Sequence, residues 1–364
     1  MIDNLLTDVV SDAAEYLLKK AWNSAKMRKD LRAAAEHLHA GGLVVFPTET
    51  VYGLGADAFN AAAVAQIYAA KERPGDNPLI LHIANADAFR KLAHNPPDYA
   101  FALIDAFWPG PLTLVVRKNP TLPAWVGGHP NRCAETIGVR SPAHPVARKL
   151  LEKSGLIIAA PSANKAGKPS PTTLAHVLED FPNPLESGIF PLDGGSSTVG
   201  LESTVVDITG EAPVILRPGK ITAEQIFETA GALSPFAEPG AAPPKSPGMK
   251  YRHYAPRADM TVLSGTRENV VAYLREKSAN VSRRLGFLLT AETAQLFGNP
   301  PQGIKILILG KTEDEIAGVL FARFREFDCL GVDEIFAEAV AEEKLGVAIM
   351  DRMRKASEGR IIAV

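Results

Sequence analysis

Cations and small hydroxyl or amide residues collect where the apolar, strand-like runs of this 364-residue chain end. Lys71, Glu72 and Arg73 follow a helical stretch and lead through Pro74-Gly75-Asp76-Asn77-Pro78 into the next apolar run. Arg140 ends TIGVR, Ser162 and Asn164 close GLIIAAPSAN, and Arg217 closes PVILRPG. Phosphate and carboxylate oxygens call for Lys and Arg, and the arginine fork can bind them bidentately. Ser and Asn add directional hydrogen bonds without further charge. Taken singly, each arginine signifies no more than a surface ion pair worth about 0–1 kcal/mol. Together, at strand ends where α/β sheets place ligands, they point to an anion site. Composition and spacing reach that far: an anion-handling α/β enzyme of unspecified substrate.

Other chemistries lack their residues. Gly53-Leu54-Gly55-Ala56-Asp57-Ala58 has the form of a dinucleotide fingerprint. However, Thr48 to Tyr52 separate it from Pro47, whereas the fingerprint turns directly off its strand. Gly310-Lys311-Thr312 ends like a phosphate-binding loop but has Lys305 where the first glycine belongs. The eight histidines show no HExxH or similar spacing, so no zinc centre is expected. Cys133 and Cys329 stand far apart without CxxC spacing, which fits a reducing compartment and no disulfide framework. No GxSxG elbow marks a serine nucleophile.

The elements that must position these residues alternate in type. A helix over 29–39 precedes the strand LVVFP (43–47). LILHIA (79–84), LTLVVR (112–117), TIGVRSP (136–142), GLIIAAPSAN (155–164), STVVDIT (203–209) and PVILRPG (213–219) read as strands. Helical stretches near 60–71, 86–93, 98–107 and 144–154 lie between them, which predicts an α/β domain with a mixed sheet over 29–233. Residues 234–258 are rich in Pro, Gly and Ala and then in Lys, Tyr, Arg and His, a linker with the makings of a lid. Regular strand-helix units over 259–364 predict a smaller, doubly wound, Rossmann-like α/β domain. Residues 1–28 read as an amphipathic helical extension. Apolar residues make up 46% and charged residues 22%, the profile of a soluble globular protein, with net charge −2 and no apolar run of membrane-spanning length. The N-terminus lacks the order of a signal peptide. High non-specific nucleic-acid affinity is not expected from that charge.

Read as strings, GGLVVFPTETVYGLGADA, KERPGDNPLILHI, WPGPLTLVV, TIGVRSPAHP, APSANKAGKPSPT, DGG, ESTVVD, LRPG and SPGMKYRHYAP resemble the YrdC-type threonylcarbamoyl-AMP synthases. The long form with an added C-terminal domain fits best, and LGVAIMDRMRKAS carries the looser match there. The resemblance covers about residues 30 to 258 in order. It implies a YrdC-like twisted α/β sheet around a cationic cavity, and a cytoplasmic L-threonylcarbamoyladenylate synthase. That enzyme would use ATP, L-threonine and bicarbonate, with Mg²⁺ carried mainly by the ATP phosphates. The family motif KxR…SxN stands here as Lys71, Arg73, Ser162 and Asn164, the catalytic set. By resemblance, ATP falls to Arg73, Asn77, Thr136, Ser162, Ser170, Arg217 and Tyr254, with Lys71 on the phosphates. Threonine falls to Thr50, His82, Arg140, Ser203 and the backbone at Ala160. The product would pass to a threonylcarbamoyl transferase complex acting on tRNA, with direct tRNA binding weak or absent. The alternative is an RNA-binding or regulatory relative without synthase activity.

Overall fold

The computed structural model describes residues 25–235, 254–279 and 283–364. Nine strands make the first sheet: β1 (Leu43–Phe46), β2 (Gly53–Asp57), β3 (Ile80–His82), β4 (Leu112–Arg117), β5 (Thr136–Arg140), β6 (Ile158–Ala160), β7 (Ile189–Pro191), β8 (Thr204–Asp207) and β9 (Val214–Arg217). Their order is β7-β1-β2-β6-β3-β5-β4-β8-β9, with parallel and antiparallel pairs interleaved. The continuous apolar runs LVVF and LTLVV are buried because helices and loops cover both faces. One core packs Leu81, Leu114, Val139 and Ile67 on one face, and a second packs Leu38, Phe46, Leu150 and Ile158 on the other.

The second sheet is all parallel: β10 (Asp259–Ser264), β11 (Leu285–Leu289), β12 (Ile304–Ile308), β13 (Glu334–Glu338) and β14 (Ile361–Ala363), in the order β12-β11-β13-β10-β14. Helices pack on both of its faces. The helix Glu313–Leu330 starts at Thr312, whose hydroxyl accepts from Glu315 N. Three acids in its first turn suit the positive end of the helix dipole, and Gly331 at φ 62° ends it. Val51 and Leu201, from the first part of the chain, are built into the core of this second sheet.

Several expected elements differ. The glycine-rich GLGAD, not expected to be regular, is β2. A Cβ at Gly55 would lie 2.5 Å from Ile158 Cγ2 and 2.8 Å from Phe46, so the glycine admits close packing rather than a dinucleotide. The strand expected over 155–164 shortens to Ile158–Ala160. Helices Leu174–Asp180 and Ala223–Ala230 and strands β7 and β14 were not anticipated. The chain is already helical at Ala25, so a boundary at residue 28 would cut the helix Ala25–His39. The extension over 1–24 and linker residues 236–253 lie outside the described residues.

Candidate functional site

Strand register decides which predicted residues meet. In β3 and β5, His82 lies opposite Arg140, while β8 starts next to the beginning of β4 and Arg217 of β9 faces Val205 of β8. Ser203, one residue before β8, therefore lies at the same end as Arg140 and Arg217. β6 runs the other way, with Ala160 opposite Ile80 and Ser162 bridging Gly53. The site residues do not all share one rim, as strand ends alone suggested. They line a cavity of about 360 Å³ that runs along the sheet face from the His82–Arg140 end toward Ser162.

At one end, Arg140 is locked by its surroundings. Its Nε donates to Gly110 O at 3.2 Å, Nη1 to Thr50 Oγ1 at 2.8 Å, and Nη2 lies 2.7 Å from Glu49 Oε1 as an ion pair. Thr48 donates its hydroxyl proton to Val51 O at 2.5 Å, so the 2.8 Å contact between the two threonines is Thr50 donating to Thr48. The Thr50 hydroxyl thus accepts from Arg140, and the relay fixes the guanidinium. Burial disfavours the Glu49 carboxylate, yet the charge and hydrogen bonding of Arg140, with backbone N–H donors, together hold Glu49 below the usual range. His82 packs edge-on against Phe46 at 5.7 Å and contacts Ile80 O through Nδ1 at 3.2 Å. A carbonyl can only accept, so Nδ1 carries the proton. Burial, aided by the Arg140 charge, brings the His82 pKa down to about 3, so the ring is neutral in use.

The KxR…SxN residues form a brace. Lys71 donates its ammonium to the carbonyls of Ser162, at 2.5 Å, and of Asn164. Ser162 Oγ donates to Asn164 Oδ1 at 2.5 Å, and Asn164 Nδ2 donates to Lys165 O and Lys168 O. Lys71 thus lines the cavity while two of its N–H groups hold the loop that carries Ser162 and Asn164. Burial, then the charge of Arg73, pushes its pKa well below the ordinary lysine value. Arg73 bonds Asn77 O and Pro78 O, fixing the turn into β3. Burial lowers its pKa to about 10, which leaves it cationic at neutral pH.

Arg217 donates from Nε and Nη2 to Ser203 O at 3.1 and 3.0 Å, and from Nη2 to Ser203 Oγ at 3.2 Å. Tyr254 adopts φ 66°, lines the cavity and stacks on Phe321 at 5.2 Å. Two expected residues stand apart from this cavity. Thr136 is four residues before Arg140 on β5, roughly 13 Å along the strand, and lines the adjoining hollow of about 570 Å³ that shares Ile80. Ser170 is fully buried, and its hydroxyl donates to Glu202 Oε1 at 2.5 Å. Glu49 and Glu202 were missed; both sit inside quoted motifs, PTET and ESTVVD, where only burial reveals their work. Among the described residues no group of three or more His, Cys, Asp or Glu could hold a metal ion, and no helix is long and apolar enough to cross a membrane.

A large mixed sheet joined to a parallel α/β unit, with buried arginines around one elongated cavity, defines a two-domain α/β enzyme for anionic substrates. Residues 36–219 match the Sua5/YciO/YrdC family model, described as telomere recombination, and residues 221–358 match the model of the threonylcarbamoyl-AMP synthase C-terminal domain. The chain belongs to the Sua5/YciO/YrdC family. It is 45% identical to the threonylcarbamoyl-AMP synthase of Pyrococcus abyssi over 92% of this chain and 96% of that one. The synthase of Bacillus subtilis is 42% identical over 90% and 93%. The crystal structure of P. abyssi Sua5 complexed with L-threonine superposes with a TM-score of 0.81 at 43% identity, covering 92% of this chain and 96% of that one.

Proposed function

We infer that this chain is an L-threonylcarbamoyladenylate synthase, joining L-threonine, bicarbonate and ATP into threonylcarbamoyl-AMP and pyrophosphate for tRNA modification. The observation that carries the reading is the cavity itself, with the Arg140–Thr50 relay at one end and Arg73, Ser162 and Arg217 around the rest. Arg140 keeps N–H groups beyond those used internally, and they suit the α-carboxylate of threonine. His82, Ser203 and the Ala160 backbone bound the same end. Arg73, Asn77, Ser162 and Arg217 suit the triphosphate, Tyr254 the nucleoside, and Thr136 is reached where the nucleotide passes Ile80 into the adjoining hollow. Ser170 serves from behind the wall, its hydroxyl holding the Glu202 carboxylate.

The amine of threonine adds to the carbon of bicarbonate and water leaves, giving a carbamate. A carbamate oxygen then forms a bond to the α-phosphorus of ATP as the bond to pyrophosphate breaks. The protein forms no covalent link. Holding two anions in line is worth about 7–11 kcal/mol in well-oriented cases, and fixed cations stabilise charge on the phosphoryl oxygens. Mg²⁺, when bound, neutralises phosphate charge; with no carboxylate cage among the described residues, it would be held mainly by phosphates and water. Because carbamates decompose in water, a cavity that excludes solvent serves this reaction. The reading places the protein in the cytoplasm, with a threonylcarbamoyl transferase complex as the consumer of its product. Incubation with ATP, threonine, bicarbonate and Mg²⁺, followed by mass spectrometry, tests it: threonylcarbamoyl-AMP is expected, and AMP or unchanged ATP alone would refute it. Tight tRNA binding without any adenylate would favour an RNA-binding role instead.

A further inference from the structure

A carboxylate on the wall of a phosphate-binding cavity is an anomaly, because its charge repels the ligand. Glu202 lines this cavity, is buried, and yet is held ionised: burial works against the charged form, but Arg352 and then Arg217 outweigh it. Arg352 comes from the C-terminal helix Lys344–Ala356 and is completely buried. Its Nε donates to Glu202 Oε2 at 2.9 Å, and its Nη1 to Pro218 O at 2.8 Å and Asp351 Oδ2 at 2.7 Å. Its guanidinium carbon lies 5.7 Å from the centre of the Tyr254 ring. The other oxygen of Glu202 accepts from Ser170.

Both flanks of this pair reach the cavity. Ser203, next to Glu202, accepts the fork of Arg217, and Pro218, held by Arg352, follows Arg217 directly. Residue 201, on the other flank of Glu202, is anchored in the core of the second sheet. Arg325, from the helix Glu313–Leu330, fastens the opposite wall by donating to Pro169 O at 2.6 Å and Asp180 at 2.9 Å, next to Ser170. The two walls meet at the Ser170–Glu202 hydrogen bond. Breaking a buried charge pair by removing one partner leaves an uncompensated charge, which is why such pairs are sensitive reporters of position.

We propose that Arg352 is the positioning residue through which the C-terminal domain arranges the nucleotide end of the cavity. It neutralises Glu202 and pins that carboxylate against Ser170, so that the Arg217 fork, seated on Ser203, stands ready for phosphate oxygens. The inference rests on the synthase reading above. The test is steady-state pyrophosphate release by the full chain, with thermal unfolding recorded in parallel, for Arg352→Met, Arg352→Lys, and the Arg352→Met/Glu202→Gln double variant.

Arg352→Met strands a carboxylate beside the triphosphate, so KM for ATP rises about tenfold or more. KM for threonine stays within about twofold, because Arg140 is held by separate partners. The double variant removes the stranded charge and returns KM for ATP to within about threefold of wild type, and Arg352→Lys falls between. If KM for ATP is unchanged in Arg352→Met, or the double variant is no better than the single, Arg352 only docks two domains and the inference fails. Should Arg352→Met not fold, the lysine and double variants decide by the same criteria. An inactive wild-type chain refutes the cavity reading and this inference together; an active wild type with indifferent variants refutes the inference alone.

Discussion

Arg140 and Arg73 are both cations on one cavity, but their removal has different consequences. Arg73 bonds two carbonyls of an adjacent turn. Arg73→Ala therefore lowers stability by only about 1–3 kcal/mol while cutting pyrophosphate release about a hundredfold or more; near-normal turnover would remove Arg73 from the site. Arg140→Ala leaves the buried Glu49 carboxylate without its cation. It should lose about 3–5 kcal/mol of stability as well as activity, and adding Glu49→Gln should recover stability but not turnover. His82 gives a pH signature. Its folded pKa near 3 lies below the ordinary 6.5, so between those values the unfolded chain holds a proton that the folded chain does not. Stability is complete above about pH 6.5 and falls as pH drops toward 3, with a slope approaching about 1.4 kcal/mol per pH unit. Glu49 and Glu202, both depressed, add to the loss in more acidic solution. Urea midpoints measured across this range should fall less steeply for His82→Gln, and parallel curves would show that His82 is not the source.

At the scale of elements, the site depends on how closely the loop before β8 meets the helix Glu313–Leu330. Gly200 sits at φ 77°, and a Cβ there would lie 2.4 Å from Ala317 O and 2.6 Å from Gly318 Cα, all backbone. Gly200→Ala must push the helix away, costing about 1–3 kcal/mol and raising KM for ATP, since residue 201 and Glu202 follow directly. A variant with wild-type melting temperature and KM would show that the two units meet loosely. The linker belongs to this scale too. Removing residues 246–254 deletes Tyr254, which lines the cavity and stacks on Phe321. Adenylate yield should fall more than ATP affinity; unchanged yield would make the segment a spacer. The apolar runs that became β1, β4 and β11 were readable because a doubly covered strand needs an unbroken apolar sequence. GLGAD was not, because glycine is a poor strand former and only packing against Ile158 and Phe46 accounts for it.

Over the whole molecule, two sheets share buried groups: Leu201 lies in the second core, and Arg325 and Arg352 bond the first domain. Such sharing predicts one cooperative unfolding transition. With Trp22 replaced by Phe, Trp108 and Trp125 report on the first sheet and far-ultraviolet dichroism on both, so their urea transitions should coincide, whereas two separated midpoints would mean independent domains. The amino-acid sequence alone determined the order of apolar strands and helices, the two-domain division in outline, and the residue types of an anion site, because burial pattern and charge are properties of each residue. How the hydrogen bonds of each polar side chain are allotted was left to the tertiary structure. Lys71 gives two N–H groups to carbonyls, Thr136 falls in a neighbouring hollow, and Glu202 answers to an arginine 150 residues away. Hydrogen-bond capacity is finite and is allotted among neighbours in space, which only strand register and domain packing bring together.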